Sequence, residues 1–580
     1  MGWGILEPRQ KGHVPGTTRY YDDPNQPGYI ANQNNGRLKT VMKNGDHLIL
    51  IPQPSDDPND PLNWPLWKRD LITFILSMSA IFATAQGSIL AANTIVITIE
   101  IKRKFTEVAL LTGYFLMGCG AAAVFFVPSG RVWGKRHAFI VGLVILVASS
   151  AWASTVGSNY ESFVWARIIQ GVGCAPFETL VNAAVGDLYF VHERGIRMAF
   201  TNLAVFGGAF FTPIVVGKMT MTMGWKWTFI FSAIFCAACF PLVFFWCPET
   251  AYRRNSRLNT DMACDTDDTQ STGIPGTRDS QGNAFEMSPR SDSNSIGETG
   301  QFLPSSKEDG HRTEPHVEQS GFIRKKTFRE SLALFDGRKT DDNYLVLLLR
   351  PFPLLFHPAF LWTCLIQGTM IGWTVFIGVI IAMIFQGPPY WWQEDKAGYT
   401  YLGPFLGAVL GFFIAAFLSD WMVRYMTKRN NGIYEPEFRI LLIIPMFIVG
   451  EIGLFGFGIT ASQIITGESV WQEPVVFFGL EVCAMVIGTV SSSLYIVDAY
   501  RDLAIEGFTI SIIFKNLFSF FLTWYAFDWV TMGIGTKKTM FILASVQIFV
   551  CLTSIPMYIY GKRIRAYFHH HDMLKKLRLK

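Results

Sequence analysis

Twelve apolar runs separated by polar or charged stretches set the pattern of this chain. They fall in two groups of six. The first group is Leu71–Thr94, Ala109–Val127, Phe139–Val156, Phe163–Gly186, Met198–Met219 and Trp225–Cys247. The second is Phe360–Phe385, Tyr399–Met422, Ile440–Ile459, Val475–Val497, Phe508–Val530 and Met540–Tyr560. Runs of about 20 apolar residues match helices that cross roughly 30 Å of hydrocarbon. The pattern predicts an all-α, multi-pass membrane protein of 12 transmembrane helices. Residues 1–66 read as a cytoplasmic tail without fixed structure, and 67–252 as a first six-helix bundle. A polar central loop (253–341), a second bundle (342–561) and a basic tail (562–580) follow.

Loop charge orients the spans. Arg131, Lys135 and Arg136 follow span two, and Arg194 and Arg197 follow span four. Arg424, Lys428, Arg429 and Arg439 surround the loop after span eight, and Lys562, Arg563 and Arg565 follow span twelve. All lie on the side of the termini, which is therefore expected to be cytoplasmic, in a plasma-membrane protein. Lys102-Arg103-Lys104 opposes this, partly offset by Glu100 and Glu107.

Composition narrows the function. Half of the residues are hydrophobic, 16% are charged and the net charge is +4, which argues for a lipid bilayer and against nucleic acid as a partner. Eight of the nine cysteines lie in apolar runs, so no disulfide framework is readable. There is no phosphate-cradling glycine loop, no nucleophile constellation and no set of histidine boxes; His569-His570-His571 read as a solvated tail. The reading is of a non-enzyme without metal or cofactor.

Chemistry concentrates in span four. Gly171, Cys174, Glu178 and Asn182 fall within about 60° of Arg167 on one helix face, with Gln170 on the flank. Ionisable groups in a membrane helix are costly and usually face a bundle interior or wet cavity. Glu178 is the first candidate for proton exchange, with Arg167 on its stripe and Glu481 of span ten as the second-half carboxylate. Gln86, Asn93, Gln170, Asn182, Gln367, Ser492, Tyr495 and Asn516 are candidate substrate contacts, and Glu451 reads as packing. Lys515 is the second half's cation, with a carboxylate such as Glu481 as its expected partner. The halves also echo one another: Asp187-x-Tyr189 ends span four and Asp498-x-Tyr500 ends span ten, while Gln170 takes the place of Glu481. Such internal repeats imply a site at their interface.

Several motifs resemble those of the major facilitator superfamily. RIIQGVG is similar to the span-four R-x-x-Q-G-x-G motif, and Gly134-Lys135-Arg136 to the basic end of the loop 2–3 motif. Gly208-x-x-x-Thr212-Pro213-x-x-Val216-Gly217 resembles the span-five antiporter motif. FVHERG, GWKWTF, CPETAYRR and NNGIYEPEFR resemble the fungal twelve-span drug:proton antiporter-like branch, which includes the histidinol/polyamine group. The resemblance implies the major facilitator fold, two pseudo-symmetric six-helix bundles, in a monomer moving a small-molecule substrate against protons by alternating access. It implies gating roles for Gly134, Lys135, Arg136, Pro213, Asp420 and Arg424. The chain departs from the family where Arg131 fills the acidic slot of the loop 2–3 motif, so the expected lock is absent or moved to Asp420. In-span carboxylates outnumber cations, which favours a cationic or amphipathic solute. Export of a drug-like or secondary metabolite, uptake of a polyamine-like cation, and a non-transporting nutrient sensor all fit the residues.

Overall fold

The computed structural model describes residues 3–8, 14–19, 40–43, 46–50, 52, 54–253, 324–430, 433–466 and 470–579. Most of the central loop, residues 254–323, lies outside these. Among the described residues, 12 helices are long and apolar enough to cross a membrane.

Spans one to six are Leu66–Ser88, Phe105–Trp133, Arg136–Thr155, Tyr160–Leu188, Val191–Met223 and Trp225–Trp246. Spans seven to eleven are Pro358–Gln386, Leu402–Arg429, Ile443–Thr466, Gln472–Ala499 and Ala504–Asp528. Span twelve starts as Thr536–Leu552 and continues as Ser554–His570. Most of these helices outrun their apolar runs at one end or both, carried on by polar residues. Span one stops short of its run at Ser88, and after a bend a short helix, Thr94–Ile101, takes over.

Each half is drawn tight where its second and fourth spans cross. At Gly171 a Cβ would collide with the Phe115 carbonyl of span two, and at Gly407 with the Gly479 carbonyl of span ten. With no side chain in the way, the backbones touch, as small residues allow in membrane bundles.

The face that carries both chain ends, the terminal face, corrects one expectation. The N-terminal tail is not without structure throughout, because two stretches of it dock on the second half. Ile5 is buried with Val423, Met426, Tyr434 and Phe438, and the Leu6 amide donates to the Ile559 carbonyl at 3.0 Å. Thr18–Arg19 pairs antiparallel with Ile433–Tyr434, and the Thr17 hydroxyl donates to Glu435 at 2.7 Å. The physical reason lies in the seat. Arg565, fully buried, donates to Glu437 at 2.7 Å and Glu435 at 3.1 Å, and buried charges need partners and cover.

Candidate functional site: an ion pair between the two halves

Span four starts at Asn159, whose side chain accepts the Ser162 amide at 3.2 Å and caps the helix. Glu178, halfway along, points out of its own half. One carboxylate oxygen is ion-paired with Lys515 of span eleven. The other accepts from the Cys119 thiol at 2.8 Å and the Asn516 amide at 3.3 Å. Both members of the pair are largely buried, with 15% and 12% of their side chains exposed. A pair so enclosed holds only while both partners and their hydrogen bonds stay in place.

Arg167, expected to share in coupling because it lies on the same stripe, is not part of that pair. It is fully buried, donating to the Gln86 carbonyl at 2.7 Å, the Gln170 side chain at 2.6 Å and the Leu111 carbonyl at 3.3 Å. Its guanidinium lies 4.8 Å from the centre of the Phe115 ring. Gln170 in turn donates to Gln86 at 2.5 Å and Ser150 at 2.9 Å, and Gln86 reaches Ser232. Arg167, Gln170 and Gln86 thus tie the first half together. The reason is axial: three turns of helix separate Arg167 from Glu178 by about 16 Å, so one face does not mean contact.

Lys515 is likewise not the partner of Glu481. Glu481 is fully buried and accepts from the Thr374 hydroxyl of span seven at 2.9 and 3.0 Å. Other candidates also bond within their own half. Asn93, at the bend after span one, accepts from Thr220 at 2.6 Å. Gln367 donates to Ser492 at 3.0 Å and Ser493 at 2.9 Å. Tyr495 packs edge-on against Trp362, ring centres 5.4 Å apart.

Asn182, one turn beyond Glu178, donates to Asn202 at 3.0 Å and accepts from Thr201 at 2.8 Å. Asn202 and Thr489 are the polar members of the lining of a cavity of about 10 Å³ between spans five, eight and ten, room for about one water. Sequence reading missed Asn202 and Cys119, whose places beside Asn182 and Glu178 depend on which spans meet.

Contacts close the interface at both membrane faces. On the far face, Gln386 donates to the Ala92 carbonyl at 3.1 Å. The Pro213–Gly217 turn of span five there meets a short helix, Glu394–Tyr399, so closely that a Cβ on Gly217 would collide with the Glu394 carbonyl. On the terminal face, Arg131 of span two is ion-paired with Glu506 of span eleven. The lock was expected to be absent or moved to Asp420; Asp420 and Arg424 are 67% and 66% exposed and face each other along one helix at 3.9 Å. Gly134-Lys135-Arg136 holds the first half's own loop. Glu249 accepts the Lys135 amide at 2.9 Å and the Arg136 amide at 3.0 Å, capping span three, and Lys135 pairs with Asp187. In the second half Arg439 pairs with Asp498 at 3.1 Å.

Two six-helix bundles meeting around a buried ion pair, with closures on both faces, define a multi-pass secondary transporter that moves a small molecule across a lipid bilayer. The chain belongs to the Major Facilitator Superfamily, whose family model matches residues 75–504. Protein HOL1 of Saccharomyces cerevisiae is 25% identical, over 96% of each chain. The citrinin biosynthesis cluster MFS transporter mrr1 of Monascus ruber is 24% identical, over 88% of this chain and 90% of its own. Among solved structures, the proton:xylose symporter XylE of E. coli superposes with a TM-score of 0.55 at 13% identity, covering 87% of this chain and all of that one. That likeness concerns the fold.

Proposed function

We propose that the chain exchanges protons for a cationic or amphipathic organic solute across the plasma membrane, as a monomer with its terminal face in the cytoplasm. The observation that carries this reading is the Glu178–Lys515 pair, in which each half contributes one charge. As the halves rock apart, Lys515 leaves Glu178. A carboxylate in low dielectric then needs a replacement, either a proton or the solute's cation. Competition for that one group couples the two flows. Glu481 is a second proton-binding carboxylate, and Asn182 and Asn516 orient the solute beside the pair. Arg167, Gln170 and Gln86 act as the rigid backing of span four.

Export is the favoured direction, since the antiporter-like resemblance and the relative named for a citrinin cluster support it. Uptake of a polyamine-like cation uses the same carboxylate in the opposite sense. The test is transport in sealed vesicles of known orientation, with a pH gradient imposed in either direction. The probes are labelled tetraphenylphosphonium and labelled spermidine. Gradient-driven accumulation of one probe, lost in Glu178→Gln, is the expected result. Equal accumulation by parent and variant removes Glu178 from the mechanism.

A further inference from the structure

Glu506 holds an unusual position among the charges of the terminal face. It lies in the first turn of span eleven, is 3% exposed, and offers one oxygen, Oε1, to two arginines. Arg131 comes from span two, in the other half. Arg350, 3.5 Å away, comes from the chain just before span seven, in Glu506's own half. Arg350 is 6% exposed and has two further anchors: Asp342 at 3.4 Å and the Leu579 carbonyl, to which it donates at 2.8 Å.

The Arg131–Glu506 pair stands, with reversed charge, where the resemblance places a lock between the halves, and we infer that Arg350 is the resident counter-ion that sets how easily it opens. When the terminal face opens, Arg131 departs with its half. Glu506 would then be a buried carboxylate without a cation, a costly state. Arg350 stays beside it and takes over the vacated oxygen, so opening leaves no bare charge. Arg131 and Arg350 therefore act in opposite directions: the first holds the face closed, and the second makes the open state tolerable. The anchor on Leu579 places the end of the chain under the same control, because that carbonyl fixes where Arg350 sits. None of this depends on which solute is carried.

The test uses the full chain, spin-labelled at Trp67→Cys and Arg424→Cys. These positions are exposed, one on each half at the terminal face. Pulsed dipolar spectroscopy reads the distance distribution between them. Arg131→Gln should move the population to longer distances, with the open-to-closed ratio rising about tenfold, less than for a fully buried pair because Arg131 is 28% exposed. Arg131→Lys keeps the charge and should leave the parent distribution, which separates loss of charge from misfolding. Arg350→Gln should do the reverse of Arg131→Gln and enrich the short distance. In an Arg350→Gln background, the swap Arg131→Glu with Glu506→Arg should recover the short distance. An unchanged distribution in Arg131→Gln overturns the lock, as does a swap that fails to recover it. Lengthening in Arg350→Gln overturns the counter-ion role.

Discussion

Glu178 and Lys515 belong to opposite halves of the molecule, and each is the other's counter-ion. Cys119 and Asn516 complete the carboxylate's hydrogen bonds, one from each half. In the proposed cycle this contact breaks each time the halves part, so its strength would set both stability and rate.

Glu178→Gln and Lys515→Gln each strand one charge in the interior. Each should lower stability by about 3–5 kcal/mol, the usual result of breaking a buried pair from one side. The double variant strands neither and should recover most of that loss while remaining uncoupled from pH. Thermal unfolding of the purified protein and gradient-driven uptake in vesicles read the two effects separately. If the double variant is no more stable than the singles, the pair is not the interaction that holds the halves.

Arg167 should behave as structure. An ammonium cannot reach the Gln86 carbonyl, the Gln170 side chain and the Leu111 carbonyl together. Arg167→Lys should therefore cost about 1–3 kcal/mol for each acceptor left unsatisfied. The abundance of the variant in membranes should fall, while the protein that does fold keeps the parent's pH profile. A shifted profile with normal abundance would return Arg167 to the coupling group.

The two crossing glycines predict a matched pair of defects. Gly171→Val and Gly407→Val both force a side chain into a neighbouring backbone carbonyl. Each should destabilise by at least about 1–3 kcal/mol, as overpacking does. Membrane abundance of the two variants, compared with valine at the exposed Leu406, checks this; three equal values would contradict it.

Glu249 caps span three through two amides. Glu249→Ala should cost about 0.5–2 kcal/mol, the range for a lost helix cap. Glu249→Gln keeps an acceptor and should lose less. Comparing the unfolding temperatures of the two variants decides whether the cap or only the charge matters.

The membrane class, the twelve spans and the importance of span four were legible in the sequence. Apolar length and helical period are local properties, and a carboxylate recurring on the face of an apolar helix is visible one residue at a time. What was not legible is which helix each face meets. Arg167 and Glu178 share a stripe and both bond to span two, yet Arg167 also reaches span one while Glu178 crosses to span eleven. Lys515 was visible as the second half's cation, but nothing local distinguishes Glu178 from Glu481 as its partner. The lock failed for a similar reason. An arginine in an acidic slot looks like a loss until Glu506, far along the chain, supplies the opposite charge.

The docked tail has a consequence for biogenesis. Residues 3–8 leave the ribosome before all twelve spans, yet their seat includes Tyr558, Ile559 and Lys562 of span twelve. The tail must wait through the synthesis and insertion of every span before it finds its place. A protease site or epitope at Ile5, open on nascent chains and hidden once Ile5 is buried, would report that span twelve has arrived.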